Sequence, residues 1–417
     1  MMELSDYLES RTGEAIKTLD ELVRIPTQVP PGENYGKIMD FVAGKLRDLD
    51  FEVEIIHMPR DLFEKKNPRL SHLQGERVNL SAKKNLQAEK TLLINTHLDV
   101  VPASGNWSVQ PFEVTRKDGH IFGRGVADSK GGVAALLTVL SAMRELNIKP
   151  KYNLNIALTT DEEMGPYSGL CYLADLGKLK ADYFLSMDGD SDDITIASNG
   201  NVDWQVDVSG KSYHSGSSFL GVNAIEKSVP VMSELLELKA KIEKRRSKVP
   251  ASVAISKKTG IKTLMPVLNI TVINAGVKQN IVPDRCTMKG DRRYIPEEKF
   301  EDVCREMNDA VARVKEKHDI NLKMSCDDIY APMLTDMNHP WILEVKRVAE
   351  EVAGREVRFA GAQGSLDVAY AVRVTGLPAC CFGLGRRTES NAHAEDENIW
   401  IEDLVMYTKF LARLMGG

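Results

Sequence analysis

Five short stretches of the chain carry residues able to hold a cation or move a proton. The first is His97-Leu-Asp99, at the end of the apolar run 91–96. Residues two apart on a strand point to one face. Asp99 can therefore accept the ring N–H of His97 and leave the other ring nitrogen free for a metal. The second stretch is GRGVADSKGG (123–132), with Asp128 inside it. It lacks the GxxxxGK[ST] spacing of a phosphate loop, and a carboxylate there suits bridged cations better than a phosphate. The third is Glu162-Glu163, following the strand-like run 153–158. Neighbours on extended backbone face opposite ways, so one glutamate can ligate while the other faces the reacting centre. Asp188 follows the apolar run 181–187, and His393 opens HAEDE (393–397) ahead of the final helix.

Taken singly, each stretch has a plainer reading as a polar turn, a charged loop or a structural histidine. Four of the five, however, fall at strand ends of one α/β unit, where open sheets place their ligand sites. Together His97, Asp128, Glu163, Asp188 and His393 supply two imidazoles and three carboxylates. That set suits two borderline divalent ions, Zn²⁺ first, with Co²⁺ or Mn²⁺ as substitutes. Glu162 and Asp99 remain as helpers that bind no ion.

The elements that must position these residues are legible from periodicity. An amphipathic helix is expected over 4–25, a proline-rich loop over 26–33 and a helix over 34–49, leading into a strand at 51–56. Strands at 91–96, 153–158 and 181–187, with a buried helix over 131–145, predict an α/β unit with a mostly parallel sheet. Near residue 199 the texture changes. VDWQVDV (202–208) alternates as a half-exposed antiparallel strand does. A helix at 223–246, strand-like runs at 264–274 and 284–294 and a helix at 297–317 complete a small α+β sandwich of ferredoxin-like type. The α/β pattern returns with a helix at 341–353 and a strand at 378–382. The expected organisation is one discontinuous catalytic domain, 1–198 and 328–417, interrupted by an inserted domain, 199–327. The basic run KAKIEKRRSK (239–248) reads as the wet face and end of the insert's first helix.

Composition removes other classes. The 417 residues carry 54 Lys plus Arg against 60 Asp plus Glu, a net charge of −6, which argues against nucleic-acid binding. No stretch approaches the roughly 18 apolar residues of a membrane span. The first 25 residues have neither a basic start nor an apolar core, so a cytoplasmic protein is expected. Six scattered cysteines without a CxxC pair read as reduced packing residues.

The sequence closely resembles the M20 metallopeptidase family, which includes acetylornithine deacetylase, succinyl-diaminopimelate desuccinylase, aminoacylase, carnosinase-like dipeptidases and glutamate carboxypeptidases. The words that carry the resemblance are HLDVVP (97–102), FGRGVADSKGG (122–132), TTDEEMG (159–165), SYHSGSSFLGVNAI (212–225), NIVPD (280–284), DRRYIP (291–296) and HAEDE (393–397). It implies a zinc-peptidase-like catalytic domain and a dimerising or lid-like insert. It also implies one metal on His97, Asp128 and Asp188 and a second on Asp128, Glu163 and His393, with Asp128 bridging. Glu162 would be the general base, Asp99 would orient His97, and a cis peptide would follow Asp128. His214 would donate to the developing oxyanion, often from the partner subunit of a homodimer. Asn280 and Arg293 would take the substrate's carboxylate end, and the loops at Gly361 and Gly383 would line the pocket. The implied reaction is hydrolysis of an amide in a small N-acyl amino acid; the alternatives are a dipeptidase or carboxypeptidase of the same family and, outside catalysis, a relative that only binds amino acids or peptides, which should have lost Glu162 or a ligand.

Three departures bear on specificity. Position 188 is Asp, as more often in deacetylases, aminoacylases and dipeptidases, where desuccinylases and glutamate carboxypeptidases usually have Glu; the proline common after His-Ser-x-x is absent, Ser218-Phe219 occupying that stretch; and Arg386-Arg387 follows Gly385, where many relatives are small or glycine-rich. One of these two arginines is expected to read an acidic group on the substrate.

Overall fold

A computed structural model describes residues 4–165 and 167–416. Nine strands form one mixed sheet. Thr91–His97 lies in its middle, parallel to Asn153–Thr159 on one side and to Tyr183–Ser186 on the other. Ala379–Cys381 extends the parallel block beyond Tyr183–Ser186. The flanks are antiparallel: Val78–Lys84 and Glu52–His57 on one side, Asp193–Ser198 with Met333–Leu334 on the other. Arg358–Ala362 joins Asp193–Ser198 in parallel. The sheet is thus parallel in its four central strands, not throughout.

Those central strands are apolar because both faces are covered. Helices Thr12–Val23, Tyr35–Asp48, Lys130–Glu145, Pro340–Ala353 and Ile401–Gly416 pack one face, while Leu170–Asp175 and Val368–Thr375 cover the other. Lys130–Glu145 is buried nearly all round, as its run of Val, Ala and Leu requires. The opening stretch is two helices, not one, breaking between Ser10 and Thr12. There the Ser10 and Thr12 hydroxyls donate to the carbonyls of Tyr7 and Glu9, competing with the helix ladder.

A second, five-stranded antiparallel sheet is built from residues 200–330. Gly200–Ser209 lies between Arg285–Tyr294 and Leu322–Tyr330, with Val267–Leu268 and Val272–Ala275 on the far side of Arg285–Tyr294. Helices Ala224–Ile242 and Phe300–His318 bury Val231, Leu235, Met307 and Val311 against Trp204, Val206 and Met288. The strand Leu322–Tyr330 escaped the sequence reading, and the expected boundary at 327/328 falls inside it. Its alternation of Lys, Ser and Asp with weak apolar residues hides it. The expected strand over 264–274 splits in two, because the Asn269 carbonyl presses onto Gly290, where a Cβ would collide with it. The basic run 239–248 is matched by acids: Lys239 pairs with Glu243, and Arg245 with Glu298 and Glu306.

Candidate metal centre

The central strands end at the cluster. His97 is the last residue of Thr91–His97, and its ring is 1 % exposed. Its Nδ1 meets the Asp99 backbone carbonyl at 3.0 Å and the Asp99 carboxylate at 3.4 Å. Asp99 thus orients the imidazole more through its main chain than its side chain. The Asp99 carboxylate instead accepts the backbone N–H groups of Glu162 and Glu163, at 3.3 and 3.1 Å. His97 Nε2 is left facing Asp128 Oδ1 at 2.9 Å.

Asp128 divides its two oxygens between two imidazoles. Oδ2 lies 3.0 Å from His393 Nε2, which also stands 3.0 Å from Glu163 Oε2. The peptide between Asp128 and Ser129 is cis, as the resemblance implies. Burial pushes the Asp128 carboxyl up, but hydrogen bonds from His393 and His97 more than reverse this, leaving it well below the usual carboxylate range. The other acids go the opposite way. Burial, then Asp188, raises Glu162; burial, then Asp128, pushes Glu163 up to about 7; burial also raises Asp188.

Glu162 and Glu163 do not lie on extended backbone. They occupy a single 3-10 turn, Glu162–Met164, entered through Asp161 at φ 69°. The turn still separates them: Glu162 gathers with His97 and Asp188, and Glu163 with His97 and Asp128, ligand atoms within 4.8 Å of one another in each group. Nitrogen and carboxylate-oxygen donors in two adjoining groups, crowded with negative charge, fit two divalent ions.

Glu397, quoted in HAEDE but assigned no role, proves central to the arrangement. It is fully buried and accepts four hydrogen bonds, from Arg124 (2.7 Å) and from the N–H groups of Gly125 (2.8 Å), Ala127 (2.9 Å) and Asp128 (3.0 Å). Arg124 also donates to the Ala394 carbonyl at 3.0 Å. One carboxylate so locks the Asp128 loop to the His393 loop. Asp367, the end of GAQGSLD, is a second omission: burial, then Asp188, pushes it up to about 7. A sequence signal existed for Glu397, an acid inside the matched word HAEDE with no task given it.

The remaining predicted residues are not part of this cluster. His214 is exposed, its Nδ1 accepting from the Gly216 N–H at 3.1 Å. Its strand pairs with Ile281–Val282, which brings Asn280 beside it; the Asn280 carbonyl accepts from Ser215 N–H at 3.0 Å. Arg293 donates to Asp291 at 3.0 Å and to Ser365 at 3.1 Å, linking the second sheet to the loop before Asp367. Gly361 packs closely against Leu264, from which a Cβ there would lie only 2.5 Å away. Gly383 likewise packs: its backbone abuts the carbonyls of Met187 and Gly189, supporting the Asp188 loop. The expectation for Arg386 needs correction. Its guanidinium is spent on Asp403 (2.7 and 2.9 Å), Glu402 (2.7 Å) and Glu389 (3.3 Å). Arg387 pairs with Asp190 at 2.5 Å, on the loop that carries Asp188.

An α/β sheet with paired groups able to hold metal at the ends of its central strands suits a metal-dependent hydrolase, and sequence comparison specifies which. Residues 93–416 match peptidase family M20/M25/M40. An uncharacterized metallohydrolase of Methanocaldococcus jannaschii is 28% identical over 94% of this chain and 96% of its own. A probable succinyl-diaminopimelate desuccinylase of Staphylococcus aureus is 27% identical over 86% of this chain and 90% of its own. Among solved structures, an M20 family metallo-carboxypeptidase from Sulfolobus solfataricus has the same fold, with a TM-score of 0.76 at 21% identity, covering 96% of this chain and 98% of that one. The chain belongs to peptidase family M20/M25/M40. Among the described residues, no helix is long and apolar enough to cross a membrane.

Proposed function

We propose that the protein hydrolyses the amide of a small N-acyl amino acid, with His97, Asp128 and Asp188 holding one divalent ion and Asp128, Glu163 and His393 the other. Zn²⁺ is the first choice for these donors, and Co²⁺ or Mn²⁺ would substitute. The observation that carries the reading is Asp128, whose two oxygens face separate imidazoles 2.9 and 3.0 Å away, as a carboxylate shared by two ions must. When bound, two such ions would supply charge that polarises an amide carbonyl and eases deprotonation of water at neutral pH. Glu162, raised by burial and by Asp188, takes the proton of the attacking water and passes it to the departing amine nitrogen. Asp99 holds both His97 and the backbone of the Glu162 turn, so one residue keeps base and ligand in register.

Substrate selection falls to the second sheet and to the loop after Gly385. Arg293 and Asn280 take the amino acid's carboxylate, for which a guanidinium fork is suited. Arg387, and not Arg386, reads any acidic group on the acyl side. The similarity to a probable desuccinylase and to an N-formyl-pyrimidine deformylase supports acyl removal over peptide cleavage, while Asp188, in place of the Glu usual in desuccinylases, points to an acyl group other than succinyl. The strand Val272–Ala275 supports a homodimer: all four residues are exposed, and it pairs on one side only, with Cys286–Lys289. A second copy would continue that sheet across a two-fold axis and bring in its His214 as the oxyanion donor.

The deciding experiment assays the metal-loaded enzyme against N-acetyl amino acids, N-succinyl amino acids and dipeptides. Cleavage of N-acyl amino acids is expected, with kcat of Glu162→Gln lower by about 10²–10⁴-fold. Cleavage of dipeptides alone would replace the acyl reading with a dipeptidase, and undiminished activity in Glu162→Gln would overturn the mechanism.

A further inference from the structure

Behind the metal-facing side of the Glu162–Met164 turn lies a second, wholly buried set of charges. Asp161 enters the turn in the left-handed region, at φ 69°. An aspartate at such a helix entry ordinarily accepts the next N–H groups, but Asp161 caps nothing, and Asp99 accepts those of Glu162 and Glu163 instead. The Asp161 side chain points away from that interaction. Its Oδ1 accepts from the Tyr35 hydroxyl at 2.9 Å and from Arg77 Nη1 at 3.2 Å, and its Oδ2 accepts from Ser168 Oγ at 2.5 Å. Asp161, Arg77 and Tyr35 are 1 %, 3 % and 1 % exposed.

The neighbouring strand residues grip the same loop at both ends. Asn79 accepts the Thr160 N–H at 3.2 Å and donates to the Ser168 carbonyl at 2.7 Å, while the Thr160 hydroxyl donates to the Val78 carbonyl at 2.9 Å. Arg77 also donates to the Pro31 carbonyl at 2.9 Å. That proline lies in the loop whose Val29 and Thr27 exchange backbone bonds with Val100, two residues past the His97–Asp99 pair's midpoint. One guanidinium therefore links the turn carrying the base to the loop that pairs with Val100, just beyond His97.

We propose that Arg77, acting through Asp161 and seconded by Tyr35, positions the Glu162 carboxylate for proton transfer. A buried ion pair is a poor source of net stability, so its worth here is geometric. A left-handed aspartate held from behind by three donors cannot rotate, and Asp99 holds the following two N–H groups from the front. The turn is clamped between two aspartates, and the side chain of Glu162 inherits that fixed origin. Displacing a base by about 1 Å can cost on the order of 10²-fold in rate.

The inference rests on the hydrolase reading above, and the test separates the two. Arg77→Met and Asp161→Asn are compared with wild type on an N-acyl amino acid, with Arg77→Lys as the conservative variant. The expected result is kcat lower by about 10–100-fold in each of the first two, with KM within about twofold and Arg77→Lys recovering most of the loss. The double variant Arg77→Met/Asp161→Asn should be no slower than the worse single, because both act through one contact. Equal kcat in folded Arg77→Met and wild type, or additive losses in the double variant, would overturn the proposal. Should Arg77→Met fail to fold, Tyr35→Phe removes a single hydroxyl and should lower kcat by about threefold to tenfold. Wild type inactive on every amide would count against the hydrolase reading alone. The visible absorption of the Co²⁺-loaded proteins then decides, since Glu163 shares the clamped turn. Altered bands in Arg77→Met support the clamp, and identical bands refute it.

Discussion

Asp188 and Asp207 belong to different sheets, and the protein treats their charges in opposite ways. Around Asp188 gather Asp128, Glu162 and Asp367, and burial raises Asp188, Glu162 and Asp367 alike. Asp207, on the strand Gly200–Ser209, accepts from Arg285 (2.7 and 3.2 Å), Thr287 (2.6 Å) and Gln205 (2.6 Å). Burial would push it up, but those donors hold it at about 2. Charges elsewhere on the second sheet are balanced in the same way, as with Arg292 and Arg245 on Glu298. The first sheet carries half of a neutral assembly and needs cations to complete it. The second is complete in itself, which suits a unit that presents surfaces and donors to a site held elsewhere.

That contrast is tested most severely at His214. If the second sheet's contribution comes from a partner subunit, His214→Ala should lose about 10²–10³-fold in kcat, as loss of an oxyanion donor does. Mixing His214→Ala with the equally inactive Glu162→Gln should then restore activity. Half of randomly exchanged dimers are hybrids with one intact site each, so about a quarter of wild-type activity should return. No recovery on mixing, with subunit exchange shown by mass, would place His214 in its own subunit's site and dissolve the division of labour.

A smaller loss is expected at Glu397, within the first sheet's own support. Gln keeps one acceptor oxygen but turns an NH₂ toward N–H groups that need an acceptor. Glu397→Gln should lower metal affinity and kcat by about 10–100-fold, the usual cost of losing an outer partner of a ligand. Metal titration calorimetry and kinetics at saturating metal separate the two effects. Unchanged metal affinity would show that the Asp128 loop holds its shape without the clamp.

The uneven legibility of the sequence has the same physical root. His97, Asp128, Glu163, Asp188 and His393 were readable because each stands at a strand end or within a distinctive local word. Glu397 stands in the same word as His393, but its task is to bind a loop that lies far from it in the chain, and no local pattern announces that partner. Arg386 misled for the converse reason: a charged residue near a site word looks available until helix Ile401–Gly416 brings Glu402 and Asp403 against it. The Glu162-Glu163 turn reads as extended backbone from the sequence because its cause is the left-handed Asp161, fixed by Arg77 and Tyr35 from other elements. The parallel core strands were plain from unbroken apolar runs. The strand Leu322–Tyr330 was hidden because one side of the second sheet is wet.

The smallest effect concerns Asp207 and tests whether the second sheet's charges are as settled as they look. A carboxyl held below its ordinary value stabilises the folded state wherever the unfolded group is ionised. For Asp207 that contribution is present above about pH 4 and is lost as pH falls toward about 2, where the folded group takes up its proton too. Asp207→Asn should therefore cost about 1 kcal/mol at pH 6, because the site is only partly buried. The difference in urea midpoint between the two proteins should narrow as pH is lowered from 5 toward 3. The comparison is made on metal-loaded protein at pH 6 and on chelated protein at every pH, so that loss of metal is not mistaken for titration of Asp207. A gap that stays constant down to pH 3 would mean that the cost of Asn is a loss of hydrogen-bond geometry that does not depend on the carboxylate's charge. Arg285, 67% exposed at the sheet surface, would then contribute geometry to this sheet and little electrostatics.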